Sequence, residues 1–262
     1  MTRLSPAACA AAAALLLACG GGNQNQQQNA VPASSGAAAP AATATPAVDP
    51  AIAATVTGKV KFEGTAPAPQ PIKLSSDPYC QKVDPGLTTE NEIVAKDGAV
   101  ENVFVYVKDG LGNRTFAAPS QPVVLDQKGC HYAPHVLGIQ VGQPLQIVNS
   151  DDTLHNVHGL PKDNKEFNQG QPIQGMKMTH TFSTKEVMIP FKCDVHGWMN
   201  AWIGVLDHPY YAVTTADGSF SLKGLPPGTY TIEAWHEKFG TQTQTVTVAD
   251  KESKDVQFTF KG

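Results

Sequence analysis

Hydrophobic and polar residues alternate with a period of two along much of the chain that follows residue 54. Val56, Gly58, Val60 and Phe62 alternate with Thr and Lys, which is the pattern of a half-buried strand. The run at 103–107 predicts a strand buried on both faces. Further strands are predicted between Asp-Gly, Pro-Pro-Gly and Phe-Gly turns, at 201–206, 213, 220–222, 230–234, 245–248 and 256–260. No window has the 3.6-residue apolar period of a helix, so the pattern predicts an all-β protein.

The first residues have the composition of an export signal. Arg3 precedes an apolar run of Ala and Leu that is too short to span a membrane. The run ends in Leu-Leu-Ala-Cys19, which resembles a bacterial lipobox and implies cleavage before Cys19 and lipidation of its thiol. We therefore predict a signal peptide over 1–18. Because Gly20 stands where Asp would favour the inner membrane, we expect a lipid anchor in the outer membrane, facing the periplasm of a Gram-negative host.

Composition separates a tether from the folded part. Residues 19–54 contain mainly Gly, Asn, Gln, Ala, Pro and Thr, and cannot bury enough surface to offset their chain entropy, so we predict a disordered tether. Hydrophobic residues make up 41% of the whole chain, which is enough for a packed core. The remaining length suits two small domains or one large β domain. The net charge of −4 at pH 7 argues against a nucleic-acid partner.

The segment from Cys193 to Met199 carries the most specific chemistry in the chain. Within seven residues it offers a thiolate, the imidazole of His196 and a thioether. Two imidazoles, one thiolate and a weak axial thioether make a blue-copper centre. The second imidazole could come from His155 or His158, which follow the apolar run at 145–148. In an extended segment these two side chains point to opposite faces, so one of them reaches the metal.

The surrounding sequence resembles the cupredoxins, the blue copper proteins of the plastocyanin and amicyanin type. The likeness covers roughly 119–207 and includes His155-Asn-Val, Cys193-x-x-His-x-x-Met and Tyr132-Ala-Pro followed by 139–145. It implies a Greek-key β-sandwich that binds copper, Cu⁺ or Cu²⁺. It selects His155 over His158, because the Asn-Val that follows His155 matches the family register. The implied ligands are His155, Cys193, His196 and, in the axial position, Met199.

The resemblance also implies what neighbouring residues do. Asn156 is expected to hydrogen-bond across to the Cys193 loop and to lock the two ligand loops together. His196 is expected to lie near the surface, ringed by apolar residues such as Trp198, and to be the exit for the electron.

Three cysteines remain after Cys9 and Cys19 are assigned to the signal and its lipobox. In an oxidising periplasm, a disulfide between Cys80 and Cys130 would leave Cys193 as the free thiolate. The alternative is that Cys130 joins His131 and His135 in a second metal site.

The C-terminal part resembles the carboxypeptidase regulatory-like domains, which are small transthyretin-like β-sandwiches. The motifs are Asp217-Gly-Ser-Phe and Leu225-Pro-Pro-Gly-Thr-Tyr, and the opening strand of such domains fits Val56-Thr-Gly-Lys-Val. Because the stretch after Asp207 is short, we expect a split domain of 55–118 and 208–262, with the cupredoxin, 119–207, inserted between them. Two domains in series are the alternative.

These features predict a monomeric periplasmic electron carrier that is not an enzyme. It would exchange single electrons with a redox partner protein and be held at the membrane by its lipid. The alternative is copper buffering or delivery by the same ligands, which Met176, Met178 and His158 could join. A binding module without redox function would leave the four copper-type ligands unexplained.

Overall fold

The computed structural model describes residues 48–74, 77–86 and 96–262, and all of them belong to one unit, Ala42–Gly262. The predicted signal peptide, the lipidated Cys19 and most of the tether lie outside the described residues. Among the described residues, no helix is long and apolar enough to cross a membrane.

Strands dominate the described residues, as the alternating pattern predicts. One short helix, α1 (Pro78–Val83), and one turn of 3-10 helix at Lys96–Gly98 accompany them. The first eight strands are β1 (Ala54–Glu63), β2 (Phe104–Asp109), β3 (Val123–Gln127), β4 (Tyr132–Ala133), β5 (Val136–Gln140), β6 (Pro144–Asn149), β7 (His155–Gly159) and β8 (Phe167–Gln171). The others are β9 (Lys177–Thr181), β10 (Glu186–Lys192), β11 (Asn200–Leu206), β12 (Tyr211–Val213), β13 (Ser219–Leu225), β14 (Gly228–His236), β15 (Gly240–Val248) and β16 (Ser253–Lys261). The all-β prediction is confirmed.

The strands form four sheets that face each other in two pairs. The first pair has the strand orders β13-β1-β16 and β12-β2-β14-β15, and the second has β5-β11-β10-β7-β8 and β4-β3-β6-β9. The first pair encloses an apolar core contributed by β1, β2 and β13 to β16. The second encloses a core contributed by β3 to β7 and β9 to β11. We call the first pair the outer sandwich and the second the inner sandwich.

The outer sandwich is assembled from both ends of the described chain. β1 pairs in parallel with β16, and β2 pairs antiparallel with β12 and β14. All strands of the inner sandwich lie between β2 and β12 in sequence. These are the pairings that an inserted inner domain requires, although the exact domain boundaries stay a prediction.

β1 shows why the opening motif contains glycine. Its inward residues alternate with exposed ones as the pattern predicts. A Cβ on Gly58 would lie 2.2 Å from the carbonyl oxygen of Val256 and 2.7 Å from the Phe220 ring. Only a residue without a side chain allows β1 to approach β16 this closely.

A third apolar cluster joins the two sandwiches. Phe104 and Tyr106 of β2 pack with Val136, Met188 and Leu206 of the inner sandwich. The outer and inner sandwiches therefore share a buried apolar contact in addition to their covalent connections.

Candidate metal centre

The predicted ligands come together at one end of the inner sandwich. β7 begins at His155, and β10 ends one residue before Cys193. β7 and β10 are antiparallel, with His158 opposite Lys192, and the same register places His155 beside the loop that follows the end of β10. His196 and Met199 follow on the loop that leads into β11.

The donor atoms of His155, Cys193 and His196 all lie within 4.8 Å of one another. The two Nδ1 atoms are 2.9 Å apart, and the Cys193 Sγ is 3.9 Å from the Nδ1 of His196. All three side chains are at most 1% exposed. Met199 is also buried, in the apolar core that contains Cys193. Three of the four residues proposed from the sequence thus converge on one buried point, and the fourth, Met199, belongs to the same buried core.

Two carboxylates set the orientation of the imidazole rings. Asp151 Oδ2 lies 2.9 Å from the Nε2 of His155, and Asp77 Oδ2 lies 2.8 Å from the Nε2 of His196. An ionised carboxylate only accepts hydrogen bonds, so each Nε2 carries a proton and a neutral ring presents its Nδ1 lone pair. The 2.9 Å between the two Nδ1 atoms is the length of a hydrogen bond, which needs a proton on one of them, and a metal ion bound by both nitrogens would take the place of that proton. The donor set therefore fits a metal ion, with the outer-shell carboxylates that metal-binding histidines usually have.

The ionisation of these groups follows from the same contacts. Burial opposes the charged rings, but Asp151 and Cys193 raise the pKa of His155, and Cys193 and Asp77 raise that of His196. Burial likewise opposes both carboxylates, yet hydrogen bonds from the histidines and from backbone N–H groups lower the pKa of Asp77 and Asp151. The charge of His155 acts in the opposite direction and lowers the pKa of His196.

The surroundings of Cys193 stabilise its thiolate form. Its sulfur accepts hydrogen bonds from the backbone N–H of Asn156 at 3.4 Å and of His196 at 3.3 Å. Burial alone would disfavour the thiolate, but the two histidine rings and these N–H groups lower the pKa of Cys193 to about 6. The thiolate is the form that binds metals.

Hydrogen bonds lock the two ligand loops to each other. The side-chain oxygen of Asn156 accepts from the backbone N–H of Asp194 at 2.5 Å, as the resemblance to the cupredoxins implies. Within the second loop, the backbone N–H of Cys193 donates to the carbonyl of Met199 at 3.1 Å. The hydroxyl of Tyr132 donates to the carbonyls of Asn156, at 2.6 Å, and Lys192, at 3.1 Å. The donor atoms are therefore held by a rigid frame.

His158 does not join the cluster. Its Nδ1 lies 3.0 Å from Asp194 Oδ2 and its Nε2 lies 2.8 Å from Glu166 Oε1, on the outside of the sandwich. The period of two along β7 separates it from His155, as expected for a three-residue offset in a strand.

Cys80 and Cys130 form a disulfide, and Cys193 is the free cysteine among the described residues. Cys130 is therefore not available as a thiolate for a second metal site. His131 and His135 belong to none of the metal-type clusters in the described part of the chain. His135 instead pairs with Glu237, whose other oxygen accepts from the Trp202 indole at 2.8 Å.

The expectation that His196 lies near the surface is wrong. The side chain is 1% exposed, because the segment around α1 covers it and places Asp77 on its outer nitrogen. Neither Asp77 nor Asp151 was identified from the sequence as part of the site. Asp151 stands four residues before His155, a weak local signal, whereas Asp77 lies 119 residues from His196 and gives none.

One family model matches the C-terminal part of the chain. Residues 200–261 match the carboxypeptidase regulatory-like domain, which confirms the resemblance of that region. The match covers β11 to β16 and less than half of the chain. No curated protein matches the sequence.

Solved structures resemble about a third of the chain. They include a purple cupredoxin from Nitrosopumilus maritimus (21% identity, TM-score 0.28), covering 32% of this chain and 98% of that one. A reduced mutant of amicyanin is 20% identical, with TM-score 0.30 and coverage of 38% of this chain and 97% of that one. A copper-containing nitrite reductase from Thermus scotoductus is 22% identical, with TM-score 0.32 over 38% of this chain. The chain spans only 25% of the length of that reductase.

Proposed function

We propose that this protein is a type 1 copper protein that carries single electrons. The observation that carries the proposal is the convergence of His155 Nδ1, His196 Nδ1 and Cys193 Sγ in a buried cluster, with both outer nitrogens held by carboxylates. His155, Cys193, His196 and Met199 would hold the copper ion. Copper would supply a one-electron couple between Cu⁺ and Cu²⁺.

The residues of the chain suit electron transfer because they restrict movement and exclude water. The loop-to-loop hydrogen bonds of Asn156 and Tyr132 hold the ligands in place before any metal arrives. The N–H donors to Cys193 stabilise a thiolate in an apolar setting. A site that is already formed needs little rearrangement when its charge changes by one, which favours rapid electron exchange.

The burial of the ligands favours a carrier over a protein that delivers copper. Delivery requires a ligand that an acceptor protein can reach, whereas His155, Cys193 and His196 are each at most 1% exposed. The chain also offers no second cluster of free histidines to hold a substrate-binding metal, among the residues that the structure describes. The protein is therefore proposed to transfer electrons without catalysing a reaction of its own.

The proposed setting is the periplasmic face of the outer membrane. The signal sequence, the lipobox ending in Cys19 and the uncharged tether support it. A lipid anchor would confine a monomeric carrier to the membrane surface, where it would meet a redox partner protein. Cys19→Ser should release the protein from the membrane fraction and abolish incorporation of radiolabelled fatty acid, and membrane retention of this variant would contradict the anchor.

The copper proposal is tested by titrating the purified metal-free chain with Cu²⁺. One equivalent should produce an intense visible absorption band that disappears on reduction with ascorbate and returns on oxidation. A colourless protein that binds Cu⁺ and releases it readily to a chelator would instead indicate copper handling. Failure to bind copper at all would favour a binding module.

A further inference from the structure

His196 is covered by a segment that comes from outside the inner sandwich. We call residues 72–74 and 77–83, which lie between β1 and β2 of the outer sandwich, the cap. Ile72, Leu74 and Tyr79 of the cap pack with the two disulfide cysteines and with Trp198 from the ligand loop. Cys80 Sγ lies 3.7 Å from the Nε2 of His196. The cap therefore occupies the side of the imidazole that the sequence suggested would face solvent.

Asp77 connects the cap to the ligand. One carboxylate oxygen, Oδ1, begins α1 by accepting from the backbone N–H of Tyr79 at 2.7 Å and of Cys80 at 3.2 Å. The other oxygen, Oδ2, lies 2.8 Å from the Nε2 of His196 and accepts from the hydroxyl of Thr153 at 3.1 Å. The same side chain thus fixes the helix start and the ring orientation of a metal ligand.

The cap also reaches the carboxylate behind the other histidine. Tyr79 donates its hydroxyl to Asp151 Oδ1 at 3.2 Å, and the second oxygen of Asp151 lies against His155. The backbone N–H groups of Gly129 and Cys130 both donate to Asp151 at 2.8 Å. The disulfide Cys80–Cys130 therefore joins the cap to the loop that supports Asp151. The cap therefore contacts the carboxylates that hydrogen-bond to both ligand histidines: it contains Asp77, and its Tyr79 bonds to Asp151.

We propose that Asp77 is a positioning residue for His196, and that the disulfide-anchored cap which carries it shields this ligand from solvent and from partner proteins. The inference rests on the proposed copper function. Asp77 keeps the proton of His196 on Nε2 and aims Nδ1 at Cys193 and His155. The cap blocks the approach through His196, so partners exchange electrons across another surface and copper leaves only when the cap moves.

The test compares two serine variants of the full chain. Asp77→Ser retains a side chain that can begin a helix, but it is too short to reach His196. Asp84→Ser is the matched control: it removes the same charge at the other end of α1, where the backbone N–H of residue 84 bonds to the carbonyl of Cys80. Three properties are measured: the nitrogen-15 NMR signals of the His196 ring in the metal-free protein, the reduction potential, and copper loss to a Cu⁺ chelator.

Asp77→Ser should remove the slowly exchanging Nε2–H signal of His196 in the metal-free protein. In the copper-loaded protein it should raise the reduction potential, because an anion that favours Cu²⁺ is lost, and weaken copper binding by about 10- to 100-fold. Asp84→Ser should behave like wild type. If Asp77→Ser matches Asp84→Ser in all three measurements, Asp77 has no positioning role.

The outcomes separate this inference from the copper proposal. The NMR signal of the metal-free protein reports on Asp77 even if copper does not bind. If the wild-type protein is blue and Asp77→Ser matches it in all three measurements, the positioning role is wrong and the copper function is still supported. A wild-type protein that takes up no copper would overturn the copper function, and with it the effect expected on the potential.

Discussion

The Nε2 atom of His196 lies 2.8 Å from Oδ2 of Asp77, a residue that the chain supplies 119 positions earlier. Asp77 belongs to the segment between the first two strands of the outer sandwich, while His196 belongs to the ligand loop of the inner one. The outer sandwich therefore contributes, through the segment between its first two strands, a side chain that contacts a ligand of the metal centre.

Cys193→Ser should abolish the visible absorption of the copper-loaded protein. The band arises from charge transfer between the thiolate and Cu²⁺, and serine has no sulfur to supply it. Because serine is nearly isosteric, the far-ultraviolet circular dichroism should keep its β-sheet shape. A variant that remained blue would show that another residue supplies the thiolate.

His155→Ala and His158→Ala should have opposite consequences for copper. His155 lies within the donor cluster, whereas His158 faces Glu166 and Asp194 on the outside of the same strand. Titration with Cu²⁺ should show loss of the blue band in the first variant and a wild-type band in the second. Loss of the band in His158→Ala alone would reassign the ligand.

Replacing both cysteines of the disulfide by serine should loosen the cap and destabilise the fold. The bridge joins residues 50 positions apart, and closing a loop of this size contributes about 2–4 kcal/mol to the free energy of unfolding. Urea denaturation measures that loss. Copper should also pass to a Cu⁺ chelator faster than from wild type, and equal rates would show that the disulfide does not control access.

Glu186→Gln should destabilise the inner sandwich. The carboxylate accepts from the backbone N–H groups of Lys162 at 2.6 Å and of Asp163 and Asn164 at 3.1 Å. Losing these charge-assisted bonds should lower the free energy of unfolding by about 1–3 kcal/mol at pH 7. The control Glu63→Gln removes only an exposed ion pair with Lys261 and should have little effect.

The effect of Glu186 should depend on pH with a defined sign. Burial opposes its charge, but the N–H donors of 162–164 lower its pKa below the usual 4.5. A lowered folded-state pKa adds stability that is fully present above the unfolded-state pKa and is lost as pH falls through the folded-state pKa. The difference in the free energy of unfolding between wild type and Glu186→Gln should therefore become smaller as the pH is lowered. A difference that did not change with pH would show that the ionised carboxylate is not its cause.

Gly58→Ala should weaken the pairing of β1 with β16. The added methyl group would meet the Val256 carbonyl at 2.2 Å, and backbone cannot move aside as a flexible side chain can. We expect a loss of about 1–3 kcal/mol in thermal or urea unfolding. Gly86→Ala is the control, because no atom of the described residues lies within 4 Å of its Cβ position, and a similar loss there would point to a general effect of the substitution.

Much of the fold could be predicted because alternating apolar residues and continuous apolar runs are both local properties of the sequence. The pattern at 55–62 becomes β1 with its inward set buried, and the run at 103–107 becomes the buried start of β2. A local property also shows that only one of His155 and His158 can join the site, since a strand sends residues three apart to opposite faces, and the resemblance to the cupredoxins selected His155.

The sequence by itself determined the all-β class and the set of side chains that could hold copper, because periodicity and residue chemistry can both be recognised within a few consecutive residues. Tertiary structure alone decided which groups surround those ligands. The pairing of β1 with β16 joins the two ends of the outer sandwich, and the disulfide and Asp77 hold the cap against His196. Contacts between residues more than a hundred positions apart leave no periodic trace. The burial of His196 beneath Asp77 and the disulfide could therefore not be predicted from the sequence, which led us to expect this residue at the surface.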